Sequence, residues 1–138
     1  MPSQNRILGL LLGAAALVAA AGAGRYAEVT HEREELERKA AAMTGGDVHR
    51  GAAAFSRYGC GGCHAVKGVP QATGTVGPPL DGIAVRAIVG GRLENKPANL
   101  QRWIIDPQAV SPGTAMPRLG VTPADARDIS AFLYTRTG

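Results

Sequence analysis

The chain has 138 residues and is 45% apolar, yet only 4% of its residues are aromatic. This length allows one compact domain with attachments, whose core must form with few large side chains. Two cysteines are too few for a disulfide scaffold, and 19 glycines with nine prolines argue against a plain helical bundle or a coiled coil. The net charge is +4, and the basic residues are scattered singly, so we expect no nucleic-acid surface.

An uncharged apolar segment, residues 7–24, follows Arg6. A signal peptide fits it, because Ala21-Gly22-Ala23 would serve as a cleavage site. A membrane anchor fits it too, because a spanning helix needs about twenty residues and extension to residue 27 supplies them. We favour an uncleaved anchor over residues 7–27, with residues 1–6 cytoplasmic by the positive-inside tendency. Both interpretations send the rest of the chain out of the cytoplasm, to the periplasmic or outer side of a bacterial inner membrane.

A charged stretch, residues 28–46, follows the apolar segment. It is rich in helix formers and places Glu34 one turn before Arg38, in the favourable orientation for a helix. We therefore predict a solvated helix that continues the anchor and ends at Thr44-Gly45-Gly46. Two interpretations stay open: a charged linker without a partner, or a helix of about 24 Å that lifts the following domain clear of the headgroups.

Residues 47–138 form the predicted domain, which carries most of the prolines and reads as short helices joined by turns. Its Pro/Gly-rich loop, residues 70–82, gives little indication of a strand. The first predicted helix runs from Val48 to about Arg57 with Asp47 as its cap. A second short helix is predicted within residues 80–89 and a third over residues 99–106, ended by Pro107. The last begins at Pro123 with Thr122 as its cap. The predicted fold class is therefore all-α.

The sequence Cys60-Gly61-Gly62-Cys63-His64 is the arrangement that covalent attachment of haem c requires. At a helix start, each thiol can add to one vinyl group of the same porphyrin, and the adjoining imidazole can reach the iron as proximal ligand. The two glycines would let the backbone lie against the ring. We therefore predict one haem c, attached through Cys60 and Cys63 and ligated by His64.

The motif has three other interpretations. A thiol oxidoreductase needs a strand before the cysteines and a long helix after them. A zinc site needs a fourth ligand, which only His31, His49 or a carboxylate would supply. A disulfide across so short a loop would contribute little. Haem is favoured over all three. It would also supply apolar bulk to a core that has few aromatic side chains.

The sixth iron ligand is predicted to be Met116. Met43 belongs to the charged stretch, whereas Met116 lies in a loop, Ser111-Pro112-Gly113-Thr114-Ala115-Met116-Pro117, that two prolines and a glycine restrict. A methionine in such a loop, far downstream of His64, is suited to closing the other haem face. The rival is ligation by His49, which sits on the helix leading into the attachment site.

These residues resemble the small monohaem cytochromes c of the mitochondrial type (class I), from about Asp47 to Tyr134. Gly51 and Phe55 resemble the family's N-terminal helix pair, whose glycine lets the C-terminal helix cross closely. Ile129 and Phe132 would then be the facing positions. The resemblance implies a small cytochrome c-like domain of short helices around a covalent haem.

The segment Gly77-Pro78-Pro79-Leu80 resembles the family's Gly-Pro-x-Leu loop. The resemblance implies that the Pro78 carbonyl accepts the Nδ1 proton of His64, which fixes its tautomer, and that Leu80 packs on the ring. Arg86 would lie near a haem propionate. Trp103 would stand beside Met116.

One departure from the family concerns the propionates. Ile88 stands where many relatives carry a tyrosine on a propionate, so the inner propionate would be held by backbone groups, Asn95 or water.

We expect a membrane-tethered electron carrier in a respiratory-type chain, with no small-molecule substrate and no catalytic residues. The natural partners would be a quinol-oxidising cytochrome complex as donor and a terminal oxidase as acceptor. The alternative is a haem c subunit of a multi-subunit oxidase or a periplasmic dehydrogenase. A ligand-binding or peroxidatic haem would require that Met116 be absent from the iron.

Overall fold

The computed structural model describes residues 3–138; residues 1–2 of the predicted cytoplasmic segment lie outside them. The chain is mostly helical, in agreement with the predicted fold class. The elements in order are α1 Gln4–Thr44, α2 Val48–Arg57, β1 Ile88–Val89, β2 Leu93–Glu94, α3 Pro97–Ile105, α4 Pro107–Val110 and α5 Pro123–Tyr134, with 3-10 turns at Cys60–Gly62 and Ile83–Val85.

Helix α1 contains the apolar segment and is long and apolar enough to cross a membrane. Its most apolar window has a mean hydropathy of 2.2, and none of that window is buried. Leu10, Leu17 and Val18 are each about three-quarters exposed, so the helix offers an apolar surface without a protein partner among the described residues. The apolar and charged segments form one continuous helix, as predicted, and this helix ends at Thr44.

Contacts divide the chain into two units, one ending at Glu35 and the other running from Leu36 to Gly138. The last turns of α1 therefore pack with the second unit. There Ala40 is 2% exposed, and the Gln101 amide donates a hydrogen bond of 3.1 Å to the Thr44 carbonyl. The part of the charged stretch after Glu35 thus has packing partners of its own.

Helices α2 and α5 form the centre of the second unit. The rings of Phe55 and Phe132 pack with centroids 5.5 Å apart, and both side chains are 1% exposed. Ile129, one turn before Phe132, is equally buried. The crossing of the first and last helices of the domain, with these residues facing each other, is as the resemblance implied.

Both predicted helix caps are present. The Asp47 carboxylate accepts the Arg50 N–H at 2.7 Å and opens α2, and the Thr122 hydroxyl accepts the Asp125 N–H at 3.1 Å and opens α5. Pro123 occupies the first position of α5, where its missing N–H costs nothing.

The middle of the domain differs from the prediction. Within residues 80–89 the helix is only the turn Ile83–Val85, and the chain then forms a hairpin in which Val89 pairs with Leu93. Gly90 and Gly91 adopt φ values of 58° and 68°, which let the chain reverse. Residues 97–98 extend α3 at its start, because Pro97 suits a first helical position.

Candidate haem-binding site

A cavity of about 450 Å³ opens in the second unit, between α5, α3 and the loops around the Cys-Cys-His segment. All eight residues predicted for the site line it: Cys60, Cys63, His64, Pro78, Leu80, Arg86, Trp103 and Met116. The remaining wall is mainly apolar and includes Phe55, Ile83, Leu100, Ile104, Val121, Ile129 and Leu133. Side chains from several separate stretches of chain therefore meet at one concave surface.

The two thiols are placed by a tight turn. Gly59 adopts φ 71°, and the Cys60 carbonyl accepts the N–H groups of both Cys63, at 3.2 Å, and His64, at 3.0 Å. Both cysteines are free and half-buried. Burial raises the pKa of the Cys60 thiol. The turn thus presents two thiols and an imidazole to the same cavity.

Gly61, between the two cysteines, is required by a contact within the protein. Neither Gly61 nor Gly62 lines the cavity. A Cβ on Gly61 would lie 2.8 Å from the Cα of Ala72, and the Gly61 carbonyl accepts the Gly74 N–H at 3.0 Å. Gly61 therefore allows the following loop to pack against the turn of residues 60–64, the predicted attachment turn. This is a contact between residues that are not neighbours in the sequence.

His64 is oriented by the loop after it. Its Nδ1 lies 2.8 Å from the Pro78 carbonyl oxygen. A carbonyl can only accept, so Nδ1 carries the proton and Nε2 keeps its lone pair for a metal. The Gly77 N–H donates to the Cys63 carbonyl at 2.8 Å, and the Leu80 N–H to the Ala65 carbonyl at 2.9 Å, which holds this loop alongside the attachment turn.

Arg86 lines the cavity, but its Nη2 donates to two backbone carbonyls, those of Pro79 and Asp81. Arg86 therefore braces the loop that orients His64, in addition to any charge it presents to a propionate.

Asn95 is fully engaged with protein groups. Its amide donates to the carbonyls of Ile83 and Arg86, both at 2.8 Å, and its oxygen accepts from the Tyr134 hydroxyl at 2.9 Å. Asn95 does not line the cavity. Both amide hydrogens of Asn95 and its oxygen therefore bond to protein groups, which leaves no amide N–H of Asn95 directed at a propionate.

Met116 lies on the cavity wall in a loop without regular structure, and Trp103 lines the same cavity from α3. A Cβ on Gly90 would be 2.5 Å from the Trp103 ring, so the hairpin glycine makes room for the indole. Gln108, at the start of α4, forms hydrogen bonds to three backbone groups of the Met116 loop. Gln108 carries no sequence signal beyond its place just after Pro107.

The rival ligand His49 is exposed, does not line the cavity, and has its Nε2 3.5 Å from the Glu37 carboxylate. Among residues 3–138, no group of three or more His, Cys, Asp or Glu side chains forms a cluster that would hold a metal ion.

The residues present fit a haem. Two free thiols, an imidazole with its Nε2 lone pair available and a thioether all meet one apolar cavity, whose volume lies within the range of about 300–1,000 Å³ typical of cofactor pockets. Two thiols, an imidazole and a thioether are the donor set of a c-type haem protein.

A mostly helical domain of this size, with this donor set around an apolar cavity, defines the class of small c-type haem proteins. Residues 48–137 match the family model for cytochrome c. The chain therefore belongs to the cytochrome c family, whose members carry haem c and transfer electrons.

One relative is 41% identical over 71 residues, the "Cytochrome c oxidase subunit 2" of Alkalihalophilus pseudofirmus. The match covers 51% of this chain but only 20% of that relative's length. No solved structure matches the chain significantly.

Proposed function

We propose that this chain is a membrane-tethered electron carrier that holds one haem c through Cys60 and Cys63, with His64 and Met116 as axial ligands. The observation that carries the proposal is the meeting of these four side chains at one cavity, with the Nδ1 proton of His64 already directed to the Pro78 carbonyl. When bound, haem c supplies an iron that changes between ferric and ferrous states.

The ligand side chains determine what chemistry the site permits. Nδ1–H donation to a carbonyl makes the His64 Nε2 a better donor and prevents rotation of the ring. With Met116 as the second axial ligand, the iron would have no open position for dioxygen or peroxide, and a thioether ligand would raise the potential. Such a site favours electron transfer over ligand binding or peroxidation.

The apolar wall also serves electron transfer. Leu80, Leu100 and Ile129 are each at most 8% exposed and line the cavity. Tightly packed side chains around the site keep water out and change little when the charge of the site changes by one unit. The half-buried Cys60 and Cys63 would mark the edge through which electrons leave.

Anchoring by α1 supports a role at a membrane surface. A helix that crosses the bilayer would hold the domain on the outer side of a bacterial plasma membrane and raise its effective concentration next to membrane partners. The natural partners are a quinol-oxidising cytochrome complex as electron donor and a terminal oxidase as acceptor.

The second candidate is a haem c subunit fixed within an oxidase complex. The 41% identity to a protein named cytochrome c oxidase subunit 2 favours it. Isolation of the native complex in mild detergent, with haem staining and mass analysis of the N-terminus, separates the two. A free carrier is extracted from the membrane without other chains, whereas a subunit co-purifies with oxidase chains.

The ligand assignment is tested by Met116→Ala in the full chain. Loss of the far-red sulfur-to-iron band from the oxidised spectrum, with haem still covalently bound, is the expected result. Met43→Ala is the matched control, because Met43 is exposed on α1 and does not line the cavity. Persistence of the band in the Met116 variant would disprove the assignment.

A further inference from the structure

The loop that carries Met116 depends on side chains for its conformation. Residues 111–118 contain no helix or strand, and Pro112 and Pro117 lack backbone donors. Within the loop, the Thr114 N–H donates to the Ser111 carbonyl at 3.1 Å. A loop with so few backbone hydrogen bonds needs external partners to hold one conformation.

Gln108 supplies three of these partners from a single half-buried amide. Its Nε2 donates to the carbonyls of Thr114, at 2.8 Å, and Met116, at 2.9 Å. Its Oε1 accepts the Gly113 N–H at 3.1 Å. An amide offers two donor hydrogens and one acceptor oxygen, so both hydrogens and the oxygen are used on this loop.

The base of this contact is firmly held. Pro107 is among the most buried side chains of the chain, and the Asp106 carboxylate accepts the Ala109 N–H at 3.0 Å as the cap of α4. The same carboxylate lies 3.5 Å from the Arg118 guanidinium at the far end of the loop. Gln108 therefore projects from a turn whose backbone is held in place, and this fixes the position from which its side chain extends to the loop.

We propose that Gln108 is the positioning residue for the sixth ligand: it holds the backbone of Met116 so that the thioether faces His64 across the cavity. This rests on the proposed ligation by Met116. A methionine side chain has three rotatable bonds and a weak ligand atom, so its bond to the iron competes with outside ligands only when its backbone is held in place. The hydrogen bond to the Met116 carbonyl itself is the most direct of the three.

The test compares two variants of the full chain in detergent with a matched control. Gln108→Leu removes all three hydrogen bonds, and Gln108→Glu keeps the length and the acceptor but cannot donate when ionised. Gln101→Leu is the control, since Gln101 is also a half-buried glutamine but bonds to the Thr44 carbonyl, outside the Met116 loop. Each oxidised protein is titrated with imidazole while the far-red band is followed.

For both Gln108 variants we expect the apparent affinity for imidazole to be about tenfold or more higher than in the wild type, because each lost hydrogen bond weakens the loop. The far-red band should then disappear at correspondingly lower imidazole concentrations. The control should match the wild type. Wild-type imidazole affinity in Gln108→Leu would overturn the proposal, and so would an equal shift in Gln101→Leu, which would mean general destabilisation. Absence of the far-red band from the wild-type protein would instead refute ligation by Met116, and the positioning role with it.

Discussion

The carbonyl oxygen of Asp128 lies 1.9 Å from the position that a Cβ atom would occupy on Gly51. The same Cβ would stand 2.9 Å from the Cβ of Phe132. Helices α2 and α5 therefore cross backbone against backbone, at a separation that only glycine permits. This contact sets the position of α5, whose Ile129 and Leu133 form part of the cavity wall.

Replacement of Gly51 by alanine should destabilise the domain strongly. Because the clash is with backbone atoms, no rotamer change relieves it, and we expect a loss of about 3 kcal/mol or more in the free energy of unfolding. Ala53→Ser, which adds an atom at an exposed position of the same helix, should change stability by less than about 0.5 kcal/mol. Urea unfolding of both variants measures the difference; equal midpoints would contradict the close crossing.

The acid sensitivity of the domain should depend on Asp128. Its carboxylate accepts from the Arg50 Nε at 2.8 Å and from the Asp47 N–H at 2.7 Å, and these hydrogen bonds, that of Arg50 above all, hold the pKa of Asp128 below its ordinary value. A carboxyl whose pKa is lower in the folded state stabilises the fold at neutral pH, and this contribution disappears as the pH falls through that pKa.

Asp128→Asn should therefore cost about 1 to 2 kcal/mol at pH 7, and the difference from wild type should shrink below about pH 4. Denaturant unfolding at both pH values checks this. Glu94→Gln serves as control, because Glu94 forms an exposed pair with Lys96 and such pairs contribute about 0–1 kcal/mol. A cost that is the same at both pH values would show that the charge of Asp128 is not involved.

Gly77→Ala should disturb the proximal side of the site. A Cβ there would lie 2.3 Å from Cε1 of His64, so the imidazole must move away from the Pro78 carbonyl. We expect retained covalent haem, since the cysteines are untouched, but a changed spin state and potential. Visible spectroscopy and redox titration measure both. Thr75→Ala, at a nearby exposed position, should leave them as in wild type; an unchanged Gly77 variant would argue against the observed histidine orientation.

Without haem, the domain should lose its cooperative fold. An unfilled apolar cavity of about 450 Å³ removes packing from residues such as Leu80 and Leu100, and large cavities are costly. The double variant Cys60→Ala, Cys63→Ala, produced without covalent haem, should show no cooperative thermal transition by circular dichroism. A sharp transition in that variant would mean that the protein core suffices alone.

Local sequence was enough for the starts of α2 and α5 and for the Cys-Cys-His motif. Asp47 and Thr122 cap helices through N–H groups three residues away, so the signal and its partner are in the same short stretch. The Cys60 to His64 spacing likewise encodes its chemistry locally. The hairpin of β1 and β2 was not predicted, because two strands of two residues each are too short to show an alternating pattern.

Long-range contacts were beyond the sequence pattern. Three contacts depend on where distant or irregular segments meet. They are the contact of Gly61 with Ala72, the hydrogen bond that joins Asn95 to Tyr134, and the hydrogen bonds of Gln108 to the Met116 loop. Polar side chains on a surface and polar side chains that bridge two loops look alike in a sequence. Packing alone separates them.

By itself, the sequence determined the apolar helix and the helix caps, and it predicted a donor set of two thiols, an imidazole and a thioether, because each of these follows from neighbouring residues or from residue type. Only the tertiary structure decided that Met116 and His64 line the same cavity, that the Pro78 carbonyl accepts a hydrogen bond from the Nδ1–H of His64, and that the end of α1 packs with the domain. The aromatic shortage of the sequence has a counterpart in that structure: a core with an apolar cavity, shaped by segments far apart in the chain.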